Sequence, residues 1–543
     1  MGRATAGGAV PGRADRGGVL AKAARFPARW TVRQVRRFRR RSAATKLRTV
    51  VVGVVVAAGL AVYLNAAPSS TTSSASTTTN AGAGALSHAS TSTRGIVGNT
   101  INVVFPVVSL NSLAGKYGFQ STAEFGEQKK AIKFFVGQVN DHGGINGRKI
   151  NAIIATFTPA NTSQMRSLCK NWTEGTPAAF AVVDGQGTWI GTNQLCVTQE
   201  GHTPLISAWA TVSTWTTKGA PYLWWMGPAD TAVLQATVNW GLSAGLIGDS
   251  HKVGVVVGDR ASDQDALKKY LLPDLQRAGV TPVVETLPAQ PTETAATDAA
   301  APLLVQKLKA SGVESLIPLV PFNAMVPLLN AQQQQGYYPK LLLSDYEQSI
   351  ESALGLIPTV DENVLNGQEG VTTETLGGVD DTRPESQGGY DPGLRACYEA
   401  WHKAYPQDVG KVQSYTLEEP TSTPGQYVKT HIVNQRNSLI EEQGPVEAWC
   451  TAIRLFATAA RNAGPDLNRR TFVEAMSKIK NFPGGVSPVL GYGPNKYFGP
   501  TQYQVVEIHN NTPTSSACDL LSTGHPQGTC WVVKQTWEPL PPG

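Results

Sequence analysis

The hydrophobic pattern of this 543-residue chain changes period repeatedly after residue 99. Phe125, Ile132, Phe135, Val136 and Val139 recur every three or four residues, which gives a helix one apolar face. The helix predicted over Ala123–Asn140 stops at Asn140-Asp141-His142-Gly143-Gly144, where glycine accepts the left-handed conformation of a helix end. Thr100–Val108 before it and Ile150–Ala155 after it are apolar runs of strand length. Strand, helix and strand in that order lay two parallel strands side by side under a crossing helix.

The alternation continues. A helix over Thr162–Glu174, strands over Ala178–Val183 and Pro204–Ser207, and a helix through Leu195 and Cys196 complete one doubly wound lobe. Pro221–Gly227, with Tyr222, Trp224 and Trp225, reads as a crossover strand. The helix Asp230–Ala244 opens a second run, with strands at Lys252–Val257, Val283–Leu287, Ser315–Leu319 and Lys340–Leu343 and helices at Gln264–Ala278, Ala301–Ser311 and Asn323–Gln335. Two similar α/β halves, rather than a short-period solenoid, are the repeat. Asn366–Thr373 reads as the return to the first lobe. Helices Leu394–Tyr405, Pro445–Arg461 and Arg470–Ile479 follow, then closing strands Val505–His509 and Trp531–Trp537.

The first helix-to-strand corner, Val139-Asn140-Asp141-His142-Gly143-Gly144-Ile145-Asn146-Gly147-Arg148-Lys149-Ile150, resembles that of type I periplasmic substrate-binding proteins, the branched-chain amino-acid-binding-like receptors of ABC transporters. Thr203-Pro204-Leu205-Ile206-Ser207, Lys252-Val253-Gly254-Val255-Val256-Val257 and Ala448-Trp449-Cys450-Thr451-Ala452 follow in that family's order, so the resemblance spans residues 99–540. It implies an α/β fold of two doubly wound parallel-sheet lobes joined by hinge crossovers. The corresponding segments are lobe one at 99–228, lobe two at 229–365, a return to lobe one at 366–480, and closing strands with a disulfide loop at 481–543.

Charge is distributed unevenly. Residues 1–49 carry 14 of the 46 basic residues and one acid, Asp15, so the rest of the chain has 32 basic against 39 acidic residues, a net of −7. The folded part therefore lacks the cationic character of a nucleic-acid binder. The Arg-rich residues 1–49 cannot bury a core and are expected to be disordered and cytoplasmic. Val50–Leu64 is 15 residues without a charge, extendable to Ala67, against the roughly 20 that a full span needs. Residues 50–67 are expected to be a single transmembrane anchor or a cleaved signal sequence. The long leader and the lack of an A-x-A site favour the anchor, and no cysteine follows for lipid attachment. Either way the C-terminal part lies outside the membrane, tethered or secreted. Fifteen of the 26 residues from Pro68 to Thr93 are Ser or Thr and none is charged, so 68–98 reads as a flexible linker.

Six cysteines, at 169, 196, 397, 450, 518 and 530, contain no CxxC pair, which leaves zinc and thioredoxin readings without support. They allow 15 pairings that sequence alone does not choose among. Proximity along the chain suggests Cys169–Cys196, Cys397–Cys450 and Cys518–Cys530.

Loops after the strands form the crevice of a doubly wound lobe. In lobe one these include Gly185-Gln186-Gly187-Thr188 and Ser207-Ala208-Trp209-Ala210-Thr211, where backbone N–H groups and hydroxyls suit a carboxylate. The resemblance makes Thr188, Ala210 and Thr211 the leading ligand contacts, with Gln186, Gly187 and Trp209 beside them. In lobe two they are Asp259, Phe322, Asp345 and Tyr346, with Asp345 or Glu347 to meet an ammonium group. The Tyr-Gly pair usual after the family's first lobe-two strand is replaced by Asp259-Arg260-Ala261, so the ligand need not be a branched-chain amino acid. Trp189, Trp209 and Trp215 suggest an aromatic wall, with packing of the lobe as the equal alternative. There is no HExxH, GxSxG or GxxxxGK[ST], and Gly185-Gln186-Gly187 lacks the third glycine and the acid of a dinucleotide site. The expectation is a binding protein without catalytic residues, metal or cofactor. It would capture an amino acid or related amphipathic solute for an ABC permease, or report that solute to a signalling partner.

Overall fold

The computed structural model describes residues 86–109, 123–158, 161–187, 189, 191–208, 213–248, 250–289, 294–346, 362–374, 392–406, 413–420, 427–434, 437–485, 487–510 and 529–542. The basic leader, the expected span 50–67 and Cys518 lie outside them. Among the described residues no helix is long and apolar enough to cross a membrane.

Sheet one holds β1 (Ile96–Val97), β2 (Thr100–Val108), β3 (Lys149–Phe157), β4 (Ala181–Asp184), β5 (Leu205–Ser207) and β6 (Leu223–Trp225). The order is β3-β2-β4-β5-β6, all parallel, with β1 antiparallel at the start of β2. Sheet two repeats it. There β7 (Val253–Gly258), β8 (Val283–Leu287), β9 (Ser315–Leu319), β10 (Lys340–Ser344) and β11 (Glu369–Thr372) run parallel in the order β8-β7-β9-β10-β11. Strands β12 (Gln413–Pro420) and β13 (Tyr427–Asn434) form a two-stranded sheet, as do β14 (Phe482–Pro483) and β15 (Val489–Leu490). Finally β16 (Gln502–Asn510) and β17 (Thr529–Pro539) join sheet two antiparallel beside β11.

Within the expected crossover strand Pro221–Gly227, Leu223–Trp225 is the fifth parallel strand of sheet one, and the chain crosses only after it. One expectation is corrected, because within Asn366–Thr373 the strand Glu369–Thr372 is the fifth parallel strand of sheet two, not the return to lobe one. Both are strands of three or four residues, too short for a period, and nothing in such a run names the sheet it joins.

Parallel strands covered on both faces read as unbroken apolar runs, and β2 illustrates it. Ile101, Val103, Phe105 and Val107 enter one core while Val104 and Val108 enter the other. The first core receives the helices Ala123–Asp141 and Asn437–Asn462, the second the helix Thr162–Glu174. Cys169–Cys196 ties that helix to the helical turn beginning at Thr192, and Cys397–Cys450 ties the helices Pro392–Ala404 and Asn437–Asn462.

The Ser/Thr-rich segment departs from the linker expectation at its end. Ala89 is fully buried, and the Ser90 N–H donates to the Tyr222 hydroxyl at 2.7 Å. Ser92 O accepts from the Arg469 N–H at 3.0 Å, and Ala89 O from Arg470 Nε at 2.9 Å. The Arg469 guanidinium also holds Ala179 O and Gly201 O, just before β4 and β5, so residues 86–97 strap the amino-terminal edge of sheet one. Composition gave no sign of this, because the arginines take backbone carbonyls that any residue supplies.

A chain starting at residue 86 is expected to melt with the full-length protein. One starting at residue 98 loses the burial of Ala89 and several hydrogen bonds of about 1 kcal/mol each, so it should melt about 5 °C lower. Calorimetry showing equal melting temperatures would refute the strap.

Candidate ligand-binding site

Both sheets present the carboxyl ends of their strands as loop-bearing edges, and the strand order reverses between the first and third strand of each, where a doubly wound fold opens its crevice. In lobe one the loop after β4 is organised by Asp184, a fully buried acid. Its carboxylate accepts the Trp189 N–H at 2.6 Å, and its carbonyl accepts from Gly187 and Ala208, both at 3.2 Å. The two candidate loops, after β4 and after β5, thus share one anchor. Gly185 is needed there because a Cβ would lie 2.7 Å from the Trp449 ring.

In lobe two, Arg260 grips Asp263 through two bonds, Nε to Oδ2 at 2.8 Å and a terminal nitrogen to Oδ1 at 2.6 Å. The Tyr346 hydroxyl donates to the same Oδ1 at 2.9 Å. All three side chains are buried, so this charge pair is geometrically complete and desolvated. Gly258, at the end of β7, leaves room for it, since a Cβ would fall 2.0 Å from the Asp263 carboxylate. Asp345, at the end of β10, differs. It is 3 % exposed; Oδ2 accepts from both the N–H and the hydroxyl of Thr373 at 2.7 Å, while Oδ1 has no hydrogen-bond partner. Burial pushes its pKa up to about 6, against the Thr373 bonds and an interaction with the Thr372 hydroxyl.

Asp230 lies where the chain passes from β6 to the lobe-two helix Asp230–Ser243. Its Oδ1 accepts the Ser213 N–H at 3.0 Å and the Thr231 N–H at 2.9 Å, and burial raises its pKa to about 6.

Of the residues expected at the site, Thr188, Trp209, Ala210, Thr211 and Glu347 lie outside the described residues. Gln186 is half-buried and Gly187 buried in the turn after β4. Asp259 is exposed and its Oδ1 accepts the Ala289 N–H at 2.9 Å. Phe322 is the first residue of the helix Phe322–Gln334. Asp345 and Tyr346 meet at the lobe-two edge, Tyr346 with its hydroxyl committed to Asp263. Trp189 is no wall: it packs inside the lobe against Phe157 and Trp172, ring centroids 5.1 and 4.4 Å away. Sequence reasoning missed Asp184, Asp230 and the Arg260–Asp263 pair. The Arg-x-x-Asp spacing immediately after a strand was the available signal for the last. Among the described residues no group of three or more His, Cys, Asp or Glu could hold a metal ion.

A family model described as periplasmic binding protein matches residues 109–413. No curated protein matches the chain. Solved structures share its fold. A fatty acid ABC transporter substrate-binding protein from Thermomonospora curvata is 17 % identical, with a TM-score of 0.52, over 82 % of this chain and 93 % of that one. An ABC-transporter solute-binding protein from Rhodopseudomonas palustris, in complex with 3,4-dihydroxybenzoic acid, is 13 % identical, with a TM-score of 0.51, over 82 % and 98 %. A periplasmic binding protein from Burkholderia mallei is 13 % identical, with a TM-score of 0.52, over 81 % and 95 %.

The raised pKa of Asp345 gives a signed prediction. Between about pH 4 and 6 the folded chain holds a proton that the unfolded chain has lost, so this group's contribution to stability falls as pH rises through that window. Asp345→Asn should therefore stabilise the protein by about 1–2 kcal/mol at pH 7.5 and change little at pH 4. Denaturant unfolding at both pH values tests it, and destabilisation at both would contradict it.

Proposed function

Because the chain belongs to the periplasmic binding protein family, we propose that it is an extracytoplasmic solute-binding protein that clasps a small amphipathic acid between its lobes for an ABC permease. It binds its solute and does not convert it. The observation that carries the ligand class is Asp345, a buried carboxylate with one unshared oxygen at the end of a lobe-two strand. Such an oxygen favours a hydrogen-bond donor on the ligand, an ammonium or a hydroxyl. The turn after β4, with Gly187, Thr188 and the neighbouring Ala210 and Thr211, would supply N–H and hydroxyl donors to a carboxylate at the other end. Asp259 and Phe322 would line the lobe-two side, and Gln186 and Trp209 the lobe-one side. An amino acid carries both groups, and so does the dihydroxybenzoate bound by the R. palustris relative. A simple fatty acid carries only the carboxylate.

Closure about the crossovers would exclude water from the solute and strengthen its polar contacts. The membrane tether and the permease partnership of this chain stand as parts of the same proposal.

A melting-temperature panel of leucine, 3,4-dihydroxybenzoate and decanoate tests it. At a hundred times its Kd a true ligand stabilises by about 2.7 kcal/mol. The donor-bearing acids should give the larger shifts, and Asp345→Asn should weaken them by roughly tenfold in Kd while sparing decanoate. Absence of a shift with these and with a wider set of amino and hydroxy acids would overturn the reading.

A further inference from the structure

One crossing between the lobes runs from the helix Arg469–Lys478, in the lobe-one core, to β16 in sheet two. Its last stretch, residues 491–501, is gathered around the side chain of Lys496. The Nζ donates to Gly491 O at 2.7 Å, Pro500 O at 2.9 Å and Gly499 O at 3.3 Å. The backbone outlines the same loop, with the Gly491 N–H on Gly499 O at 2.7 Å and a bridge between Leu490 and Pro500. The loop also pairs with the edge of sheet one. The Trp225 N–H donates to Tyr497 O at 2.8 Å, and the Tyr492 hydroxyl donates to Trp225 O at 3.1 Å.

Phe498 lies beneath the ammonium, 4.7 Å from ring centroid to Nζ. It forms a small apolar cluster with Ala229, Ala232 and Leu540. Ala229 ends the crossing out of β6, Ala232 belongs to the first turn of the lobe-two helix, and Leu540 follows β17 and donates its N–H to Thr501 O at 2.9 Å. Segments that pass between the lobes therefore meet at one ring, with Lys496 over it.

We propose that Lys496 is the positioning residue of the interlobe hinge: it fastens residues 499–500 to lobe one, so that this crossing bends at Thr501 in concert with residues 227–229. Three carbonyls satisfy the three donors of an ammonium, and they come from both ends of the 491–500 loop. No carboxylate shares the site among the described residues. Burial and the nearby Lys480 push the Lys496 pKa down to about 8, so its charge is held here against a cost. Lys480 is the internal contrast, because its own ammonium reaches Tyr492 O on the lobe-one side alone.

The inference deepens the solute-binding reading, which needs a hinge, yet its test needs no solute, so a blank ligand panel and a failed hinge test are separate results. Hydrogen exchange of the full chain is measured for the wild type, Lys496→Met, Lys496→Arg and Lys480→Met. Lys496→Met should speed exchange roughly tenfold in peptides containing Trp225, Gly491 and Leu540 and leave the helix Asn437–Asn462 and β9 unchanged. Lys496→Arg, with donors for the same carbonyls, should restore rates to within about twofold, and Lys480→Met should match the wild type. Lys496→Gln keeps two N–H donors, should be intermediate, and decides the matter if the methionine variant does not fold. Unchanged hinge peptides, or exchange raised equally in both lobe cores, would overturn the proposal.

Discussion

A parallel sheet sends all its strands one way, so every loop that follows a strand leaves along a single edge. The architecture here imposes that constraint twice, with the same strand order in both sheets. Each lobe therefore carries its post-strand loops at one rim. The amino-terminal edge of sheet one is closed by the strap at residues 86–97, anchored on Arg469 and Arg470. Chemistry is left to the opposite rim, where Asp184, Asp230, Asp263 and Asp345 all lie at or just beyond strand ends.

These buried acids are not equivalent. Asp263 is held by Arg260 through two bonds and further bonded by Tyr346. Asp184 Oδ2 takes the Trp189 N–H that shapes its loop, and Asp230 Oδ1 takes the N–H groups of Ser213 and Thr231. Asp345 combines near-complete burial, a raised pKa and an Oδ1 without a hydrogen-bond partner. That combination is the ground for the ligand-binding role proposed for Asp345.

Much of the fold is legible in the sequence. Thr100–Val108, Val283–Leu287 and Ser315–Leu319 are strands at the residues expected, and Thr162–Glu174 is a helix over its expected length, because apolar runs and turn residues bound them sharply. The helix Asn437–Asn462 begins earlier than expected because Pro445, read as its first residue, lies inside it. The misassigned fifth strand of sheet two marks the limit of local pattern: β11 announces extended backbone but not a partner. The site was legible as a set of post-strand positions and no further. Whether Tyr346 faces a ligand or an aspartate depends on Asp263, 83 positions away in sequence. Only tertiary packing separates an exposed carboxylate such as Asp259 from a buried one such as Asp345.

The account stands on a solute held between two lobes that move as units about their crossings. Small-angle scattering of the protein, alone and with whichever probe solute raises its melting temperature, measures this directly. A bound solute should shrink the radius of gyration while the circular dichroism of the folded lobes stays constant. A solute that binds and stabilises the protein with no change in that radius would contradict closure and, with it, the central claim.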